Sequence, residues 1–105
     1  MTTFIKADKF FYPYATKVGG YLALTTDGKF GKHVESIPED SQVIDYSGKY
    51  IAPGLVDTHV HGYAGADVMD NDKDGIIHTM SDALLSTGVT SFLPTALTAS
   101  YEQLR

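Results

Sequence analysis

From residue 4 to residue 50, apolar residues come in short runs that alternate with polar ones, and each run ends in turn residues: "FIKADKFFYP", "GGYLALTTDGKFGKHVESI" and "QVIDYSGKYIAPG". Alternation of this kind marks strands with one buried face. Asp27-Gly28, between the alternating Tyr21-Leu22-Ala23-Leu24-Thr25 and Phe30, predicts a hairpin, because a tight turn needs residues that tolerate positive φ. Ser47-Gly48, flanked by Val43-Ile44 and Tyr50-Ile51, predicts a second tight reversal. Three or four strands are expected in an all-β amino half, residues 1–51.

After Pro53-Gly54 the pattern changes. Residues 55–61 form an apolar run of the buried-strand type, and "GYAGAD" reads as a glycine-rich loop. Asp72 and Asp74 offer N-caps for a helix whose Ile76, Ile77, Met80, Ala83 and Leu84 share one face, and Gly88 closes it. "VTSFLPT" is a second short strand, and Ser100 with Gln103 three residues on has the form of a capping box. The order strand, helix, strand, helix start is a βαβα unit, the pattern of a parallel sheet covered by helices. Two parallel strands cannot bury both their faces. The chain is therefore expected to be the front part of a longer protein, with residues 52–105 as two β/α units.

Composition narrows the chemistry. Of 105 residues, 43% are hydrophobic and 20% charged, which is ordinary for a globular protein and argues against disorder. With no cysteine, a metal here is held by nitrogen and oxygen alone. Eight Lys+Arg against thirteen Asp+Glu give a net charge of -5, and no basic cluster appears, so neither nucleic acid nor an anionic membrane is expected as partner. The first twenty residues lack the uninterrupted apolar run of a signal peptide or a membrane span, which makes the cytoplasm the default expectation.

The chemistry-bearing feature is "PGLVDTHVHG", where Asp57, His59 and His61 occupy alternate positions. On a strand they form one row, while Val56, Thr58 and Val60 face the other way. Two imidazoles so spaced can converge on one cation, and imidazole suits zinc and iron(II). A carboxylate in the row can orient a ligand histidine. A bare His-x-His is equally read as two surface or hydrogen-bonded histidines. Position favours the metal reading, because the pair ends a strand that opens a β/α series, where barrel enzymes build their sites.

"PGLVDTHVHG" resembles the first-strand signature of the amidohydrolase superfamily. Its continuation, "HGYAGADVMD" and then "GVTSFLPTALT", is similar to the branch that deacetylates N-acetylglucosamine 6-phosphate, rather than to the dihydroorotase or hydantoinase branches. The clear likeness spans residues 51–100. It implies an α/β fold, the start of a (β/α)8 TIM barrel preceded by strands of a small β-sandwich domain. It implies hydrolysis of the acetamide of a small amino-sugar phosphate, with one or two divalent ions, zinc or iron(II), per full-length subunit. His59 and His61 would be metal ligands, with Asp57 behind them. Some relatives carry amide side chains at this pair and use a single ion, so intact histidines imply room for a second. The remaining ligands, a Glu and two His, and the catalytic Asp would lie beyond residue 105. No catalytic residue is assigned within the chain, which alone is expected to be inactive, and the full-length protein is expected to be a homodimer.

Other residues are weighed against plainer roles. Gly62 and Gly65 are candidates for a substrate-side loop, or else for a tight strand-to-helix turn. Asp67 and Asp70 read as caps, and Thr95 as part of a loop approaching a helix. His78 is expected to be a partly buried or surface histidine of the helix, and His33 a solvated hairpin histidine. Phe10, Phe11, Tyr12 and Tyr14 are expected to pack between β layers rather than stack on a sugar. The competing function is another metal-dependent amidohydrolase, or a non-catalytic binding or structural module. A module must fold by itself, whereas the hydrolase reading expects Leu55, Val56, Phe92 and Leu93 to need partners from later strands.

Overall fold

A computed structural model describes residues 2–70 and 74–105, which fall into two compact units, Met1–Pro53 and Gly54–Arg105. In the first unit, β1 (Thr3–Phe11) is the centre of a five-stranded sheet. β5 (Gln42–Ile51) runs parallel along one of its edges. The other edge is shared, with β3 (Tyr21–Leu24) antiparallel to residues 3–6 and β2 (Thr16–Val18) antiparallel to residues 9–11. β4 (Phe30–Val34) pairs with β3 across the loop that holds Asp27-Gly28. Gly28 takes φ 78 there, and the Thr25 carbonyl accepts its N–H, so the expected hairpin is present. The described residues form one sheet here, without a second stacked layer.

Ser47-Gly48 does not reverse the chain. β5 passes straight through it, and the pairing jumps from Ala7↔Tyr46 to Lys9↔Tyr50, a bulge. Local turn chemistry is present, since the Asp45 carboxylate accepts from the Ser47 N–H and hydroxyl and Gly48 has φ 83. What converts a turn into a bulge is distant: Asp8 Oδ1 accepts the Gly48 N–H at 2.9 Å. The irregularity also shifts the alternation of β1, so that Ala7 and Phe10, three apart, both face the core. With Leu22 they form its buried centre, edged by Ile5, Tyr12 and Ile51.

His33 belongs to this core rather than to solvent. Its ring meets Phe10 edge-on at 5.0 Å, and its Nδ1 lies 2.8 Å from the Tyr12 hydroxyl. Phe10, Tyr12 and Tyr14 stack in series with centroids 6.1 and 5.8 Å apart. Tyr14, at the end of the stack, is exposed, so the series covers a single sheet instead of filling a space between two.

The second unit opens with β6 (Leu55–Val60), which pairs in parallel with β9 (Val89–Pro94). Between them α1 (Ile76–Leu85) packs on β9, and its Met80 and Leu84 are buried. Its N-cap is Gly75, at φ 78 and without a side-chain bond, rather than Asp74; Asp72 lies outside the described residues. Gly88, at φ 88, turns the chain into β9. "GYAGAD" is a miniature hairpin of β7 (Gly62–Tyr63) and β8 (Ala66–Asp67). The capping box is formed at α2 (Tyr101–Leu104), with Ser100 and Gln103 bonded reciprocally. Leu55, Val56 and Leu93 are about 60% exposed, at 60%, 65% and 58%. Among the described residues no helix is long and apolar enough to cross a membrane.

Candidate metal centre

Asp57 and His59 lie on β6, and His61 follows its last residue. The β6–β9 pairing is irregular between Asp57 and Val60, where His59 sits. Bulges of this kind re-aim a side chain at the rim of a sheet. Asp57 supports the irregularity: its Oδ1 accepts the backbone N–H of His59 at 3.0 Å. The carboxylate thus touches the main chain of the neighbouring histidine rather than its ring.

The two rings meet edge to face, centroids 4.9 Å apart, with Nε2 of His59 3.1 Å from Nε2 of His61. Two imidazole nitrogens each about 2.0–2.1 Å from one zinc lie roughly 2.8–3.4 Å apart for angles between octahedral and tetrahedral. The observed separation fits that span. On its far side, His61 Nδ1 is 2.8 Å from the carbonyl oxygen of Thr95. Metal-binding histidines characteristically tie back their second nitrogen in this manner. Among the described residues no group of three or more His, Asp or Glu side chains is placed to hold an ion. Two histidines fall short of the three protein ligands that a catalytic zinc takes.

The remaining candidates have backbone roles. A Cβ on Gly62 would stand 2.6 Å from the carbonyl oxygen of Ala66, so this glycine lets β7 and β8 close on each other. Gly65, at φ 77, and Ala64, at φ 54, are the two turn residues of that hairpin. Asp67 Oδ1 accepts from Met69 N–H, and Asp70 Oδ2 from Asp67 N–H, consistent with caps of a turn. The group that sequence reasoning missed is the Thr95 carbonyl. A main-chain acceptor leaves no mark on residue type; only its place after β9 could have pointed to it.

No family model matches the chain. It is 35% identical over 77 residues to an N-acetylglucosamine-6-phosphate deacetylase of Lysinibacillus sphaericus, a match covering 72% of this chain and 20% of that protein. A shorter match, 59% identical over 39 residues and 36% of this chain, is to a dihydroorotase of Bacillus thuringiensis, of which it covers 9%. Among solved structures, the N-acetyl-D-glucosamine-6-phosphate deacetylase of Mycobacterium smegmatis superposes with a TM-score of 0.79 at 20% identity, over 96% of this chain and 28% of that one. The chain is thus similar to hydrolases of the amidohydrolase class. Its likeness in particular is to the N-acetylglucosamine-6-phosphate deacetylases. It spans about a fifth of the length of the first of these relatives.

Proposed function

We propose that this chain is part of a metal-dependent amidohydrolase that removes the acetyl group of N-acetylglucosamine 6-phosphate, with His59 and His61 as two ligands of a divalent ion, zinc or iron(II). The observation that carries the reading is the 3.1 Å Nε2 to Nε2 approach combined with the Thr95 carbonyl behind His61. A divalent cation at such a pair supplies an activated water near neutral pH and polarises an amide carbonyl. Within this chain, β6 and the Asp57 carboxylate hold His59, Thr95 holds His61, and the glycine-rich hairpin follows beside them.

The parallel β6–α1–β9 unit is, on this reading, the start of a (β/α)8 barrel, and residues 1–51 belong to its small β domain. Support comes from the exposed Leu55, Val56 and Leu93, which further strands would cover. The missing ligands and the groups that bind sugar and phosphate then lie in the rest of a longer protein, a cytoplasmic homodimer, and this chain alone is inactive. The dihydroorotase likeness favours a second reading, a cyclic-amide hydrolase. In the longer protein, His59→Ala should lower zinc content and deacetylation of N-acetylglucosamine 6-phosphate together. Full occupancy and full activity in that variant would remove the ligand assignment, whereas hydrolysis of a cyclic amide in place of the sugar phosphate would select the second reading.

A further inference from the structure

We infer that the main-chain carbonyl of Thr95 is the positioning group of the histidine pair: it commits His61 to the tautomer with a bare Nε2, for which a proton of His59 and a divalent cation compete. The cation half of this inference rests on the reading under Proposed function. The Thr95 half stands on hydrogen-bond geometry alone.

A carbonyl oxygen can only accept, so across the 2.8 Å contact it is His61 Nδ1 that donates. A neutral imidazole carries one N–H, so His61 Nε2 keeps a lone pair and faces His59. Across 3.1 Å two lone pairs would repel, and only two arrangements satisfy both rings. Either His59 donates its Nε2–H to His61, or both nitrogens turn their lone pairs to one cation. His59 must therefore change tautomer to become a ligand: its Nε2 proton is lost to solvent and Nδ1 gains one, at constant charge. His61 needs no change.

Thr95 is well fixed for this task. Its N–H donates to the Val60 carbonyl at 2.9 Å and its Oγ1 donates to the Leu93 carbonyl at 3.0 Å. One residue thus closes the β6–β9 pairing with its N–H and orients the adjacent histidine with its carbonyl. The consequence is an asymmetric pair, in which one ligand is preset and the other is displaced from a hydrogen bond by the metal.

The test is nitrogen NMR of the longer protein with labelled histidine, stripped of metal, at a pH well above the ordinary histidine range, before and after adding Zn2+ alone. His61 is expected as the Nδ1–H tautomer in both spectra, while His59 converts from Nε2–H to Nδ1–H on adding zinc. In His59→Ala, His61 should keep Nδ1–H, because Thr95 and not His59 determines it. An Nε2–H or averaged signal for His61, in either protein, would overturn the assignment to Thr95. An unchanged His61 signature with no response of either ring to zinc would instead overturn the metal reading, and the competition with it, while supporting the role of Thr95.

Discussion

A Cβ on Gly54 would collide with Oγ1 and Cγ2 of Thr90 and stand 2.6 Å from its Cβ. Gly54 is glycine because β9 passes against the chain just before β6 begins. Gly54→Ala forces a backbone shift at the β6–β9 pairing and should cost about 1–3 kcal/mol, as overpacking does. Thr90→Ala in the same background should recover only part of this, since it deletes the two nearest atoms and leaves the Cβ. Urea unfolding of the two single variants and the double variant gives the coupling directly.

Ala64 carries φ 54 in the two-residue turn between Tyr63 and Ala66, and Gly65 beside it carries φ 77. Two successive positive φ values are the requirement of a type I′ turn, which favours Asn-Gly over Ala-Gly. An L-residue without a local hydrogen-bonding side chain pays roughly 1–2 kcal/mol in that region. Ala64→Asn should therefore raise stability by about 0.5–1 kcal/mol, and Ala64→Val should lower it, because a β-branched residue fits the region least well. Thermal midpoints of the two variants should move in opposite directions.

These positions show which parts of the molecule the sequence could reveal. The Asp27-Gly28 hairpin, the Ser100 capping box and the apolar stripe containing Met80 and Leu84 rest on interactions within a few residues, and pattern reading reached them. Ser47-Gly48 has the same local chemistry as a turn, yet its outcome depends on the Asp8 carboxylate forty positions away in sequence. His33 has charged sequence neighbours, Lys32 and Glu35, but its environment is made by Phe10 and Tyr12 from another strand. For the histidine pair, residue type and spacing marked the two side chains, whereas the Thr95 acceptor, being backbone, was invisible to composition. At the start of α1, Asp74 advertises a side-chain cap, whereas a glycine at positive φ, Gly75, holds the N-cap position.

Asp45 links the bulge to pH. Hydrogen bonds from the Ser47 hydroxyl and then the Ser47 N–H, with a smaller contribution from Lys6, hold its carboxyl below the ordinary aspartate value. A depressed folded-state pKa stabilises the fold above the unfolded value, near 3.9, and that contribution is lost as pH falls through the folded value. Asp45→Asn should therefore flatten the acid limb of the stability curve while shifting the neutral value little, because the site is exposed. Urea midpoints taken from about pH 6 down to about pH 3 check this, and parallel acid limbs in the two proteins would contradict it.

Tyr12 links stability to pH on the alkaline side. Burial first, and the neighbouring Tyr14 second, push its hydroxyl above the ordinary tyrosine value. Its oxygen lies 2.8 Å from Nδ1 of His33, whose Nε2 is buried and has no hydrogen-bond partner among the described residues. Tyr12→Phe keeps the ring stack but leaves both nitrogens of His33 without a partner, and should cost about 1–3 kcal/mol at neutral pH. The sign with pH is opposite to that of Asp45. A raised folded-state value means stability fully present below the unfolded pKa, about 10, and lost as pH climbs through the raised one. The native protein should weaken above about pH 10 by more than Tyr12→Phe does, and Tyr14→Phe should fall between them, because it removes only the second cause. If the three proteins lost stability in parallel, Tyr12 would not be the group responsible, and the phenols exposed elsewhere on the sheet would have to account for the loss.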